Sequence, residues 1–297
     1  MDVDAELIVH RKPSHSDYLI HWTGDDIAKT FGLTRVAEPR YEQDVVDAYL
    51  ERLYNILRFG LWLKKSKEPG VIEVSNQKIK KPNVPRLCFT ELKVSDSILH
   101  ARKFGALGIG VKRYYLFNRL GGPMHYVHKT PNLFLPPLGD AFNENSENYE
   151  LLSFFKNMSE GRNAQNYIDY SLYEESEWRI IFSENLKKKL TQEFVGKYFI
   201  DPKIVHNTKY FEYYSSLPKD NLLEYLTPLD EWVSLIIYPN LQIKNASYNH
   251  KGIREELNKL KSTNKLANPE LRIADGCPQQ EIINQIVELD IGATKQF

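Results

Sequence analysis

The chain has 297 residues, and its 39 lysines and arginines are balanced by 39 aspartates and glutamates, so its formal charge is zero. That balance excludes a protein held on nucleic acid by bulk attraction, while leaving room for a local basic patch. Aromatic residues make up 12%, which suits a folded chain with aromatic-lined surfaces and excludes a disordered one.

Cys88 and Cys277 are the two cysteines, far apart and with no CxxC partner. Neither a disulfide framework nor a structural zinc site is expected, and a reducing compartment is the simplest setting. The opening MDVDAELIVHRKP lacks the apolar run of a signal peptide, and no stretch reaches the ~18 apolar residues expected of a membrane span. The expectation is a soluble cytoplasmic protein with no membrane partner.

Residues 18–22 (YLIHW) read as a short strand ending in a turn, TGDD. From residue 41 the period becomes helical. Val45, Val46, Tyr49, Leu53, Ile56 and Leu57 recur at three- and four-residue spacing, and Gly60 is placed to stop the helix. LWL at 61–63 is extended, and the lysine-rich 64–86 reads as a loop or edge hairpin. RLCFTE at 86–91 reads as a buried strand with a polar end, and 95–104 as helix. GALGIGV at 105–111 reads as a turn into a strand. Gly121 and Gly122 are expected to close a hairpin with 124–127 as its return strand.

Farther on, 147–160 reads as helix, 173–182 as turn plus strand, and SENLKKKLTQE as a polar linker. Aromatic pieces follow at 194–199 and 211–214. WVSLIIY at 232–238 reads as strand and 250–260 as helix, and the tail carries ELRIA and the amphipathic EIINQIVELDIG. Short strands from distant segments mixed with helices give an α+β fold with a mixed, largely antiparallel split sheet and flanking helices. The division expected is a core over 1–245, followed by a C-terminal helix and tail over 246–297. That tail, with Ile282, Ile283, Ile286, Val287 and Leu289, packs on the core or on a partner.

Several motifs fail. GALGIG lacks GxGxxG spacing and opens no helix, so it is no dinucleotide cradle. GxxxxGK[ST], HExxH and GxSxG are all missing from the sequence. His125 and His128, three apart in an expected strand, point to opposite faces and make no metal pair. No metal is expected.

Chemistry converges in three places. In IHWTG, His21 and Thr23 share a strand face; they either present an imidazole and a hydroxyl to a ligand or close the core and begin a turn. In CFTE, Phe89 and Glu91 share one face and Cys88 and Thr90 the other. In EESEWR, Glu175, Glu177 and Arg179 share one side of an extended backbone, and Trp178 and Ile180 the other. Two carboxylates ~7 Å apart can take different roles, or Arg179 can make the cluster a structural ion pair.

The ordered set HWTG, LYNILRFGLWL, RLCFTE, HARKFGALGIGVKR and YEESEWRIIF resembles the AbiGi-type abortive-infection family of bacterial phage-defence proteins, over roughly residues 17–240. CFTE and KFGALGIGV carry most of that match. More remotely, the order is similar to the ADP-ribosyltransferase superfamily: a first strand with His, a helix with an L..IL..GL pattern, a middle strand with an aromatic or hydroxyl residue, and a late strand with a catalytic glutamate. This implies an NAD-dependent toxin. Glu177 would be the catalytic carboxylate, Glu175 the further acid of an ExE pair, and His21 and Thr23 the first-strand pair. Phe89 and Thr90 would lie on the middle strand. Phe89, Tyr114 or Tyr115 would stack on nicotinamide, with Lys112 and Arg113 at the pyrophosphate or the acceptor. NAD is then the substrate. The basic, aromatic GVKRYYLFNR and the lysine-rich 64–81 point to an RNA or DNA acceptor. The alternative is a non-catalytic antitoxin or regulatory subunit bound to a cognate partner, in which Glu175 and Glu177 are only ion-paired. A nuclease would need a metal–carboxylate set that the sequence does not offer.

Overall fold

The computed structural model describes residues 18–33, 38–65, 70–74, 77–91, 93–127, 149–158, 175–189, 197–202, 212, 216, 225–263 and 286–296. In chain order they form β1 (Leu19–Thr23), α1 (Asp25–Thr30), α2 (Gln43–Phe59), β2 (Leu61–Leu63), β3 (Val71–Val74), β4 (Gln77–Lys80) and β5 (Arg86–Thr90). There follow α3 (Ser97–Phe104), β6 (Leu107–Val111), α4 (Arg113–Phe117), β7 (Gly122–Pro123), β8 (His125–Val127), β9 (Phe155–Asn157) and β10 (Glu177–Ile181). The chain closes with α5 (Glu184–Lys189), β11 (Tyr225–Thr227), β12 (Val233–Tyr238), α6 (Leu241–Asn249), α7 (Lys251–Thr263) and β13 (Val287–Asp290).

Among the described residues, seven strands make the main sheet in the order β13-β12-β6-β1-β5-β10-β7. All neighbours are antiparallel except β12 and β13, which run parallel. The fold is α+β with a mostly antiparallel sheet. β1 pairs with β6 along its whole length, from Leu19 opposite Val111 to Thr23 opposite Leu107. With β5 it shares one registered pair, Ile20 opposite Thr90. The sheet therefore parts between β1 and β5.

The apolar residues of α2 account for one face of this sheet. Val45, Val46, Tyr49, Leu53, Ile56 and Leu57 are all buried, and they pack with Leu19, Phe89, Ile109, Trp178, Ile180 and Ile236 in the larger core. α6 and α7 add Ile243, Ile253 and Leu257 to the same cluster. On the opposite face Ile20, Trp22, Leu235 and Ile237 meet Ala101 of α3 and Ile291. Gly108 and Gly110 belong to that second face. A Cβ on Gly110 would stand 2.6 Å from the Leu235 Cβ, and one on Gly108 3.0 Å from the Trp22 ring. The glycines of GALGIG thus let neighbouring strands lay large side chains across β6.

Several expected elements take another form. β6 leads into α4, and no hairpin returns to it: Gly122 pairs with Arg179 of β10, and 125–127 pairs in parallel with β9. Residues 149–154 form a 3-10 helix and 155–157 a strand, with Leu152 buried against Ile72, Ile79 and Val127. The SENLKKK stretch is helical in α5. An unforeseen helix, α6, is capped by Asn240, whose side chain accepts from the Ile243 amide at 2.9 Å. The division expected after residue 245 falls within it. The amphipathic tail contributes a strand, β13, tied by Arg254 to Glu288 and by Tyr238 to Glu288 at 2.7–2.9 Å. ELRIA, Ile282, Ile283, Glu174, His128 and Cys277 lie outside the described residues, as do 194–196, 211, 213 and 214.

Gly60 ends α2 with φ 97°, in the left-handed region, and a Cβ there would collide with the Thr227 carbonyl. Gly60→Ala is expected to lower unfolding free energy by about 1–3 kcal/mol, seen as a fall in urea midpoint with the slope unchanged.

Candidate functional site

A cavity of about 320 Å³ opens where β1 and β5 part, lined by residues of β1, β5 and β10 together with Phe104, Lys156 and Glu175. Its volume lies at the lower end of the range for small-molecule sites. The cross-strand register assigns the walls. Thr90 stands opposite Glu177 and Cys88 opposite Arg179, so these four side chains leave one face. Phe89 and Trp178 leave the other, as do Leu87 and Ile180. The division of faces read from the sequence is the one observed for β5 and β10.

Arg179 is the least exposed of the cluster, at 2%. Its Nε donates to Glu177 Oε1 at 2.6 Å and a terminal nitrogen to Oε2 at 3.0 Å, while the other terminal nitrogen donates to the Ser153 carbonyl at 2.8 Å. Burial alone would raise the Glu177 carboxyl. The charge and hydrogen bonds of Arg179, helped by Lys156, outweigh it and hold the group below the ordinary carboxylate range. Cys88 is reached by solvent yet walled in on the protein side; that enclosure and the Glu177 charge push its thiol up. It is therefore a neutral S–H beside Glu177.

Glu175 precedes the strand instead of extending it. Ser176 has φ 42°, an uncommon value for a residue with a side chain, and the turn aims Glu175 toward α3. Lys103 binds Glu175 Oε1, and Lys156 bridges Glu175 Oε2 at 3.0 Å and Glu177 Oε2 at 3.4 Å. The expected sharing of one extended side is thus replaced by a kink that still brings both carboxylates to one lysine.

His21 leaves β1 on the face opposite Glu177, but its ring is turned into the gap beside β5. Nδ1 lies 2.9 Å from the Cys88 carbonyl, which only accepts, so Nδ1 carries the proton and Nε2 is the acceptor. Burial lowers the imidazole to about 4, the hydrogen bond opposes this, and the Arg52 charge lowers it further. His21 is neutral near pH 7. Thr90 lies 3.4 Å from His100 Nδ1 and also lines the cavity.

Five residues expected at the site fall elsewhere. Thr23 accepts from Arg52 at 2.9 Å, in a cluster with Asp26, because it lies at the end of β1 beyond the cavity. Tyr115 is fully buried in α4, its hydroxyl within 3.3 Å of the Thr227 and Pro228 carbonyls and its ring 3.6 Å from the Arg119 guanidinium. Tyr114 is exposed and rests on Trp232 at 4.9 Å. Neither tyrosine lines the cavity; the helix in place of a strand after β6 turns both away from it. Arg113 binds Glu91, and Lys112 sits 4.1 Å over Tyr18, so the two cations expected at a pyrophosphate are engaged outside the site. Lys103, Lys156, Trp22 and Phe104 were not legible as site residues. Trp22, Lys103 and Phe104 stand in HWTG and HARKFGALGIGVKR without being the residues those motifs singled out, and Lys156 lies outside the quoted motifs.

Among the described residues no group of three or more His, Cys, Asp or Glu side chains is placed to hold a metal ion, and no helix is long and apolar enough to cross a membrane. No family model, no curated protein and no solved structure matches the chain.

The signs of two titrations follow. Glu177 has a depressed pKa, so its contribution is complete above the ordinary glutamate value and is lost as pH falls through the depressed one. His21 is lowered from 6.5 to about 4, so stability falls as pH drops through that interval and the unfolded chain takes up the proton. Urea midpoints measured across pH should show Glu177→Gln flattening the acid limb and His21→Asn flattening the higher interval.

Proposed function

We propose that the chain is an NAD-dependent ADP-ribosyltransferase of an AbiGi-type phage-defence system, acting inside the cell on a nucleic-acid acceptor. One observation carries this reading. The strands bearing His21, Phe89 with Thr90, and Glu177 are distant in sequence yet adjacent in the sheet, and they border one cavity. That is the juxtaposition an ADP-ribosyltransferase-like split sheet requires of its first, middle and late strands.

The residues present suit the substrate. Phe104 and Trp22 line the cavity with aromatic surface for a flat, partly cationic nicotinamide ring, whereas the Phe89 ring is buried in the core on the opposite face. The neutral His21 offers Nε2 as an acceptor for a ribose hydroxyl. Glu177, held ionised by Arg179, opposes the positive charge that grows on the ribose as the bond from C1′ to the nicotinamide nitrogen breaks. Nicotinamide departs with the bonding electrons, the acceptor nucleophile forms the new bond to C1′, and its proton passes to Glu175. Arg179 fixes the carboxylate plane, so the rotamer need not be selected at each turnover.

A second reading, a non-catalytic antitoxin or regulatory subunit, is favoured by the pairing of Glu177 with two cations. Expression in a bacterial host separates the two. Arrest of growth that disappears with Glu177→Ala supports the transferase; a harmless wild type that neutralises a neighbouring gene product supports the antitoxin. With labelled NAD and separate RNA, DNA and protein fractions, Glu177→Gln is expected to reduce label transfer about 100-fold or more. Undiminished labelling by that variant overturns the assignment.

A further inference from the structure

Two carboxylates and three cations meet at the cavity, and the cations are not equivalent. Arg179 holds Glu177 through both oxygens, and Lys103 holds Oε1 of Glu175. Lys156 touches the Oε2 atoms of both, at 3.0 and 3.4 Å. It is the shared cation of the cluster: its withdrawal leaves Arg179 on Glu177 and Lys103 on Glu175, so each carboxylate keeps a cation of its own. Lys156 also lines the cavity, and Lys103 does not.

The backbone beneath Lys156 is anchored. β9 pairs with β8, and the Asn157 side chain accepts from the Glu73 amide at 3.0 Å and donates to the Glu73 carbonyl at 2.7 Å. Any movement therefore belongs to the flexible four-carbon side chain, whose compact ammonium binds anions as a point charge.

A cation over the Oε2 atoms opposes both tasks assigned to the acids. It diminishes the field that Glu177 offers to a developing positive charge, and it occupies the Glu175 oxygen that would accept a proton. A substrate bearing a diphosphate brings the counter-charge that could draw the ammonium away.

We infer that Lys156 is a diphosphate clamp which leaves Glu175 and Glu177 for the diphosphate of a bound dinucleotide, uncovering both carboxylates only when that group is present. This rests on the transferase reading above. It makes Lys156 a specificity residue: the site recognises a nucleotide by the same side chain that releases its acids. Phosphate-free nucleosides would enter without triggering release.

Calorimetric titration of the full chain with ADP-ribose, which carries the diphosphate, and nicotinamide riboside, which carries no phosphate, tests this. Lys156→Met is expected to weaken ADP-ribose roughly 10- to 100-fold, the worth of one charge-assisted hydrogen bond. It should leave nicotinamide riboside within about twofold. Lys156→Arg should restore most of the ADP-ribose affinity. Equal weakening of both ligands, or no weakening of ADP-ribose, overturns the clamp while leaving the transferase reading in place. A wild type that binds neither ligand overturns both. Matching thermal transitions for the two variants exclude misfolding as the cause.

Discussion

A guanidinium that is almost wholly out of water has to be neutralised and given acceptors, and Arg179 imposes that demand on a strand one place in from the edge of the sheet. Its five donors have a fixed planar geometry, so the acceptors must come to it. Glu177 does so from two residues back on the same strand, and the Ser153 carbonyl from the 3-10 turn that precedes β9. Once that turn is fixed, Lys156 follows three residues later and reaches the two acids. The cavity's polar wall is thus the solvation shell of one buried arginine. Removing Glu177 alone would strand a buried cation, which is costlier than the loss of the pair as a whole.

The apolar side of the same strands explains why the opening lies where it does. Trp178 and Ile180 pack against Phe89 and Leu87 and hold β10 to β5, while β1 is committed to β6 by an uninterrupted register. Two well-paired halves meet along a short seam, and His21 turns its ring into that seam to serve a carbonyl there. A side chain in place of a backbone donor leaves room beside it. The glycines of β6 assist from the other side, since Trp22 and Leu235 lie flat across them.

Local signals carried much of this into the sequence. The period of α2 and its terminating glycine state which side chains of the helix are buried, and the alternation of RLCFT and EWRII states which side chains share a face. Glu177 and Arg179 on one side and Trp178 and Ile180 on the other follow from a period of two. Other parts carry no such local mark. Tyr115 looks like a surface aromatic in a basic stretch, but its partners are Arg119 one turn later and carbonyls more than a hundred residues away. The approach of Lys156 to Glu175 depends on the 3-10 turn before β9 and on the kink at Ser176, neither of which has a local period. VELD reads as part of an amphipathic tail until the parallel edge of β12 is available to receive it.

The order of the strands in space has a kinetic side. β1, β5 and β10 are neighbours in the sheet, yet each pairing between them closes a long loop whose entropy must be spent before any contact returns it. A chain emerging from the ribosome can form α2 early, since its turns need only nearby residues. The recess between β1 and β5 has no third wall until β10 has been synthesised and has docked. Partly made chains therefore carry the helix and the first strand without the pocket, and whatever chemistry the pocket supports switches on only with long-range assembly of the sheet.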